Sequence, residues 1–180
     1  QNGQISLDMF EDGLGYHIYW QVLNTKHYGI PQNRERIFIV GFKEFRKFSF
    51  PKKIPLSIKL KDILQNQVDN KYYLSDKTVK KLLEYTKKNK DKGNGFGAKF
   101  HNPDKDNMSS LKVGGGGADD LIVHNLKIRR LTPLETWRLQ GFKDEDFDKV
   151  KNVSGTQLYK QSGNSITVDV LMHLFKKIYE

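Results

Sequence analysis

A Gly/Pro turn that leads into an apolar run constrains the fold of this chain more than any other stretch. It occupies residues 29–41 and begins with Gly29-Ile30-Pro31. Pro31 fixes its own φ angle and restricts Ile30 to extended conformations, so the polar residues that follow start from a stiff turn. The β-branched and aromatic residues 37–40 then predict a buried strand that ends at Gly41.

Two arginines lie between the turn and the strand. If the backbone is already extended at residue 34, the two-residue period of a strand places Arg34 and Arg36 on one face, roughly 6.6 Å apart. Gln32 shares that face, and Glu35 points the other way. Two guanidinium groups at the mouth of a strand suit an anionic ligand. A solvated strand edge screened by Glu35 explains these residues alone equally well.

The flanking residues predict further elements of an α/β unit. Residues 5–12 have helical spacing, and residues 16–23 have the composition of a strand that pairs with residues 37–42. Pro51 and Pro55 interrupt a Phe- and Lys-rich stretch at residues 45–58, which predicts a domain boundary there.

The middle of the chain mixes helical and glycine-rich patterns. Residues 60–64 predict a helical turn, and Ser75 is a good N-cap for a helix with apolar positions Val79, Leu82 and Leu83. The lysines of this helix indicate a solvated face, with phosphate contact as the alternative; they are Lys77, Lys80, Lys81, Lys87, Lys88, Lys90 and Lys92.

Four consecutive glycines at residues 114–117 do not fit the dinucleotide-binding fingerprint. They predict a loop that can place bare backbone against a ligand, and a disordered connector is the alternative. Residues 121–123 predict a strand after this loop.

The last third of the chain carries helix signals. Thr132, Pro133, Glu135 and Gly141 predict a short helix with a capping box at its start and a glycine at its end. In residues 159–165, Asn164 or Ser165 is expected to cap the final helix. Such a loop would present free N–H groups to an anionic or zwitterionic ligand, or would simply cap a surface helix.

Composition narrows the class of protein. The net charge of +10 favours a polyanionic partner, with nucleic acid ahead of a membrane, although a merely lysine-rich protein would also show it. The chain has no cysteine and no His-Glu-x-x-His pattern, so we expect neither a disulfide nor a metal site. Without a signal-peptide pattern or an apolar run of about 18 residues, a cytoplasmic protein is expected.

Three of these stretches, taken together, resemble conserved motifs of the DNA cytosine-5 methyltransferases. Residues 28–36 resemble the eighth motif of that family, residues 130–142 the ninth and residues 159–165 the tenth. The resemblance covers nearly all of this chain and about the C-terminal half of a typical family member.

The resemblance implies a fold. It places residues 1–55 and 132–180 in the C-terminal part of a Rossmann-like methyltransferase core. Residues 56–131 correspond to the target recognition domain, a small, irregular, strand-rich module that reads bases in the major groove of double-stranded DNA. Its recognition loop would be the glycine-rich stretch, where the implied DNA-binding residues are Ser110, Lys112, Gly114, Gly115, Gly116 and Gly117.

The resemblance also implies a chemistry. In the complete enzyme the target cytosine is flipped out of the helix, a cysteine attacks C6, a glutamate supports N3, and C5 takes a methyl group from S-adenosylmethionine. Arg36 would reach the flipped cytosine or its phosphate, with Arg34 and Gln32 supporting the pocket. Gly163, Asn164 and Ser165 would line the cofactor site near its methionine end.

The chain departs from the family in three places, because it contains no Pro-Cys, no Glu-Asn-Val and no Phe-x-Gly-x-Gly. We therefore expect an incomplete cofactor site and no methyl transfer by this chain alone. Its implied partner is the N-terminal half of a bacterial methyltransferase, on the same longer chain or on a separate subunit, and the missing initiator Met favours a fragment. A restriction-modification enzyme acting on nucleoid DNA is expected; the alternatives are a non-catalytic DNA-binding or regulatory module and a basic RNA-binding protein.

Overall fold

The computed structural model describes residues 15–111, 120–124 and 126–180. Within these ranges the strands are β1 (His17–Asn24), β2 (Gln32–Asn33), β3 (Glu35–Phe42), β4 (Lys99–His101), β5 (Met108–Ser109), β6 (Asp120–His124) and β7 (Lys127–Arg129). The helices are α1 (Leu60–Ile63), α2 (Asp76–Asp91), α3 (Pro133–Arg138), α4 (Asp144–Asp148), α5 (Gly155–Asn164) and α6 (Val168–Tyr179), with 3-10 turns at Thr25–His27 and Asn70–Tyr72. The helix predicted at residues 5–12 lies outside the described residues.

β1 and β3 form an antiparallel pair, which confirms the two strands predicted on either side of residues 29–36, the arginine loop. The prediction that residues 37–40 are buried is wrong, because Ile37 and Ile39 are exposed and only Val40 is buried. Tyr19 lies opposite Val40 in this pair, and both side chains are buried against Phe48 and Leu174. Phe48 comes from the Phe- and Lys-rich residues 43–59, which contain no helix or strand, as the prolines predict. Burial of these aromatic and aliphatic side chains therefore holds α6 against the strand pair.

The opposite face of the strand pair is apolar yet exposed. Val22 and Ile37 lie opposite each other and are 52% and 57% exposed, while Ile39 is 64% exposed. Isolated exposed apolar side chains are common, but neighbouring ones on two paired strands form a continuous patch. Such a patch is typical of a surface that another protein segment covers.

Residues 56–131 form an irregular segment whose longest described element is the helix α2. Ser75 caps α2 by accepting a hydrogen bond from the Thr78 amide, as predicted, and the predicted turn at residues 60–64 is α1. The lysines of α2 are exposed. β6 pairs in parallel with β4 and antiparallel with β7. The strands in the described part of this segment have two to five residues.

This segment shares a hydrophobic core with the residues on either side of it. The shared cluster consists of Ile30, Leu60, Ile63, Met108, Ile122, Leu131 and Leu139. β5 also pairs in parallel with β2, which places Met108 beside Gln32. The arginine loop and the segment are therefore fixed relative to each other by packing and by backbone pairing.

α3 has the caps that the sequence predicts. Thr132 accepts a hydrogen bond from the Glu135 amide, and the Glu135 carboxylate accepts one from the Thr132 amide. Gly141 has a φ angle of +82°, a left-handed conformation that favours glycine.

The start of the final helix was predicted wrongly. Ser154 caps α5, which continues through Asn164, and Ser165 is the residue that ends it. α6 starts only at Val168, with Thr167 in the N-cap position. Gly163, Asn164 and Ser165 therefore lie at the carbonyl end of a helix and not at an N–H end.

In the described part of the chain, no helix combines the length and the apolar character needed to cross a membrane.

Candidate functional site

Arg34 is the buried centre of the candidate site. Its side chain is 5% exposed, and its guanidinium group donates hydrogen bonds to oxygens from two distant segments. Nη1 reaches the Ser110 hydroxyl at 3.4 Å and the Leu111 carbonyl at 3.3 Å. Nη2 reaches the carbonyls of Gly163 at 3.2 Å and Ser165 at 3.0 Å. Arg34 thus joins the arginine loop to residues 110–111 and to the end of α5.

Burial, and then the neighbouring positive charge of Arg36, lower the pKa of Arg34 from its ordinary value. The shift does not remove the charge, because a guanidinium stays protonated in proteins. The carbonyl end of a helix is the negative end of its dipole and suits this cation. The carbonyls of Gly163 and Ser165, at the end of α5, therefore bind the guanidinium of Arg34.

Arg36 shares the face of Arg34, as predicted, but remains exposed. Its Nη2 lies 3.3 Å from the Ser110 hydroxyl that Arg34 also contacts, and its Nη1 donates to the Glu35 carbonyl at 2.6 Å. The Nη atoms of both arginines are thus hydrogen-bonded within the chain, but only the Arg36 side chain is exposed and presents its charge to solvent.

A buried polar network lies beneath the two arginines. The Gln32 side chain donates to the Leu139 carbonyl at 3.3 Å and accepts from the side-chain amide of Gln140 at 3.4 Å. Gln140 in turn accepts from the Thr167 hydroxyl, which lies 3.2 Å from the Thr25 hydroxyl. Because each of these side chains is buried and hydrogen-bonded, the network fixes the arginine loop, the end of α3 and the start of α6.

Two further hydrogen bonds join α3 to α5, and a third joins α5 to Leu131, just before α3. Trp137 donates to the Leu158 carbonyl at 3.1 Å, and the Ser162 hydroxyl donates to Thr136 at 3.0 Å. The Tyr159 hydroxyl donates to the carbonyl of Leu131 at 2.7 Å. Burial raises the pKa of Tyr159, so this hydroxyl keeps its proton and its donor role. The three motif-like stretches of the sequence therefore meet in one hydrogen-bonded assembly.

An open groove runs beside the arginines, between β3 and α6. Its volume is about 550 Å³, and its polar lining residues include Arg34, Arg36, Asn164 and Ser165. Its walls are mostly apolar and include Ile37, Ile39, Val170, Leu171 and Phe175. No group of three or more acidic or histidine side chains in residues 15–111, 120–124 and 126–180 is placed to hold a metal ion.

A family model described as C-5 cytosine-specific DNA methylase matches residues 2–180. The chain belongs to this family of C-5 cytosine-specific DNA methylases. The family that the sequence resemblance indicated is thereby confirmed.

Relatives of this DNA methylase chain include bacterial enzymes of type II. It is 39% identical to the type II methyltransferase M2.ScrFI of Lactococcus lactis subsp. cremoris over 96% of this chain and 48% of that protein. It is 36% identical to the type II methyltransferase M.HpaII of Haemophilus parainfluenzae over 97% of this chain and 54% of that protein. The chain spans about half the length of these relatives.

Solved structures show the same fold at lower sequence identity. A methyltransferase of Entamoeba histolytica superposes with a TM-score of 0.71 at 16% identity, over 92% of this chain and 55% of that one. The Dnmt2 methyltransferase of S. pombe gives 0.70 at 21% identity, over 90% and 57%. The mixed α/β fold of this chain is thus that of part of such methyltransferases.

The three residues predicted to bind S-adenosylmethionine, the cofactor of this family, occupy different environments. Gly163 is buried and its carbonyl binds Arg34, so it supports the site through its backbone. Asn164 and Ser165 line the groove, and Asn164 is exposed. An amide and a hydroxyl beside apolar walls fit a ligand with both polar and apolar parts, so these two residues fit one portion of the cofactor.

The predicted DNA-binding residues are only partly described. The Ser110 hydroxyl contacts both arginines. Arg34, Arg36 and Ser110 therefore form one group, the arginine cluster. Lys112 and the glycines at residues 114–117 lie outside the described residues.

The sequence reasoning missed Thr25 and Thr167. Thr167 stands directly before a helical run with Asp169 in its first turn, which is the usual signal of an N-cap. The partner of Thr25 is 142 residues away along the chain, and no local pattern indicates such a contact.

Proposed function

We propose that this chain is the C-terminal half of a DNA cytosine-5 methyltransferase of a restriction-modification system. It would recognise double-stranded DNA and complete a pocket in which C5 of a flipped cytosine is methylated. The observation that carries this proposal is the arginine cluster, in which the Ser110 hydroxyl contacts both buried Arg34 and exposed Arg36, and Arg36 lines the groove.

Arg36 would act on the target nucleotide. A guanidinium offers paired N–H donors that match a carbonyl or phosphate oxygen, and it stays charged at any physiological pH. Arg34 and Gln32 would be positioning residues, since both are buried and bound to backbone carbonyls. Arg36 could therefore bind the flipped base without a reorganisation of the loop that carries it.

The remaining parts of the site would come from the N-terminal half. This chain has no cysteine, and its length is about half that of its relatives. S-adenosylmethionine supplies the methyl group when bound, and Asn164 and Ser165 would contact one end of it. The exposed apolar face formed by Val22, Ile37 and Ile39 would pack against the N-terminal half, which would account for the exposure of these three side chains.

Residues 56–131 would form the target recognition domain, between core segments 1–55 and 132–180. The net charge of +10 supports a polyanionic ligand. Lys112 and Gly114, Gly115, Gly116 and Gly117 would approach DNA, while Ser110 would act from within the arginine cluster.

The role of Arg36 can be tested by Arg36→Ala in the enzyme assembled from this chain and the N-terminal half. Loss of a charged hydrogen-bond donor should lower the rate of methyl transfer to DNA roughly 10- to 100-fold. The thermal stability of the chain should not change, because the side chain is exposed.

Arg46→Ala is the matched control, since Arg46 is also exposed but lies outside the groove. It should leave methyl transfer unchanged. Wild-type turnover by the Arg36→Ala enzyme would show that the arginine cluster does not serve this reaction.

A further inference from the structure

The helix α2 carries a stripe of exposed lysines along one face. Lys77, Lys81 and Lys88, which we call the lysine stripe, are all exposed. Because successive residues of an α-helix are about 100° apart, these three side chains lie within about 40° of one another around the helix axis. The half-buried residues of α2 follow the opposite face; they are Val79, Leu82, Thr86 and Asn89. The lysine stripe therefore points away from the residues on which the helix packs.

The stability of α2 does not account for the lysine stripe. The helix dipole disfavours a cation in the first turn, where Lys77 lies, although it favours Lys88 in the last turn. Lys77 and Lys81 are four residues apart, a spacing at which like charges repel each other. Glu84 lies four residues before Lys88, but neither it nor any other carboxylate among the described residues forms an ion pair with the stripe. A bound polyanion would offset this repulsion.

α2 is anchored beside the part of the segment that is predicted to reach DNA. The Ala98 amide donates to the Thr86 hydroxyl of α2 at 2.9 Å. Ala98 directly precedes β4, whose first residue, Lys99, lies opposite Asp120, the first residue of β6. Asp120 directly follows residues 112–119, which include the predicted DNA-binding lysine and glycines. The anchor of α2 and the end of that predicted loop therefore lie at the same edge of the β4–β6 pair.

We propose that the lysine stripe of α2 binds phosphates of duplex DNA outside the bases that the enzyme reads. This inference rests on the proposed function, which supplies duplex DNA as the ligand. From Lys77 to Lys88 the helix rises about 16 Å, roughly the length of five base-pair steps of DNA. A duplex that lies along α2 would thus offer a phosphate to each of the three lysines. Phosphate contacts carry no sequence information, so the stripe would add affinity without selecting the target site.

The salt dependence of DNA binding by this chain tests the proposal. The ligand is a fluorescein-labelled duplex of mixed sequence and about 40 base pairs, and its binding is followed by fluorescence anisotropy between about 50 and 200 mM salt. The variant that combines Lys77→Gln, Lys81→Gln and Lys88→Gln should bind the duplex at least about tenfold more weakly. Its slope of log K against log salt should be smaller in magnitude by about 2–3, since each lost phosphate contact removes about 0.9. Glutamine suits a helix about as well as lysine does, so the melting temperature should not change.

The matched control combines Lys149→Gln, Lys151→Gln and Lys177→Gln. These three lysines are also exposed, but each already pairs with a carboxylate of this chain. Both variants lower the net charge of +10 by three, so only a contact with DNA makes their salt slopes differ. Equal slopes for the two variants would overturn the proposal. Weaker binding of single-stranded RNA by the α2 variant, with duplex DNA binding unchanged, would also overturn it.

Methyl transfer in the assembled enzyme separates this inference from the proposed function. The α2 variant should raise KM for DNA and leave kcat within about twofold of wild type, because the stripe would touch no reacting group. A wild-type assembly that transfers no methyl group would refute the proposed function, and the salt slopes would still decide whether α2 binds DNA. An active assembly whose α2 variant keeps the wild-type KM and salt slope would refute this inference alone.

Discussion

At the scale of single residues, the sequence pointed to Arg34 and Arg36 but not to the difference between their surroundings. The two-residue period correctly placed Arg34 and Arg36 on one face. It could not show that one guanidinium is buried and bound to four oxygens while the other is exposed. That difference arises from contacts with residues 110–111 and 163–165, which lie far away along the chain.

Glu135 carries the clearest prediction for stability at this scale. Its carboxylate forms a bidentate ion pair with the Arg129 guanidinium, in which both hydrogen bonds are 2.8 Å long, and neither side chain is exposed to solvent. It also accepts hydrogen bonds from the amides of Gln65 and Thr132. Glu135→Ala should lower the free energy of unfolding by about 3–5 kcal/mol, because it leaves a buried positive charge without its partner.

Urea denaturation of the chain measures this loss. Asp104→Asn is a suitable control because it removes one partner of an exposed ion pair, and it should not measurably change the midpoint. A midpoint shift for Glu135→Ala as small as that of the control would show that the buried pair contributes little.

At the scale of elements, local signals were sufficient wherever the structure is local. The caps of α2 and α3 were read directly from Ser75, Thr132 and Glu135, because each cap bonds within four residues. The start of α6 was misplaced because Asn164 and Ser165 resemble N-caps. In the structure, α5 follows its N-cap Ser154 and continues through Gly163, and the Thr167 hydroxyl donates to the Gln140 side chain. Asn164 and Ser165 therefore end α5 and do not start α6.

Gly141 tests whether the turn after α3 is needed for the fold. Its φ angle of +82° is strained for any other residue, and an added Cβ atom would collide with the Asp169 carboxylate. Gly141→Ala should therefore lower the free energy of unfolding by about 1–3 kcal/mol.

Thermal unfolding measures the loss of stability in Gly141→Ala. Gly155→Ala is the control in this experiment. Gly155 is the first residue of α5, and an added Cβ atom would meet no heavy atom within 4 Å. Alanine there should leave the chain as stable or make it slightly more stable. Equal melting temperatures for the two variants would mean that the turn tolerates a side chain.

At the scale of the whole molecule, three stretches that are ambiguous alone form one assembly. Gln32, Gln140 and Thr167 lie in three separate parts of the chain and form one buried network. The order of the three stretches allowed the family to be recognised from the sequence. The shared core between residues 56–131 and their flanks could not be recognised, because Met108 and Leu139 show no pattern that links them.

Part of the surface of the chain is apolar and exposed to solvent. Ile37 and Ile39 are exposed beside a groove whose walls are mostly apolar. Under the proposed function this surface is the interface with the N-terminal half. Ile39→Asp should therefore weaken association of the two halves without unfolding the chain, since Ile39 makes little use of burial here.

The most direct test of the account is methyl transfer by separated and mixed halves. Labelled S-adenosylmethionine and bacterial DNA would be incubated with this chain, with an N-terminal half that carries the Pro-Cys motif, and with both together. The account predicts incorporation of label at cytosine C5 only in the mixture. A folded and associated pair that transfers no label, or transfer by this chain alone, would contradict it.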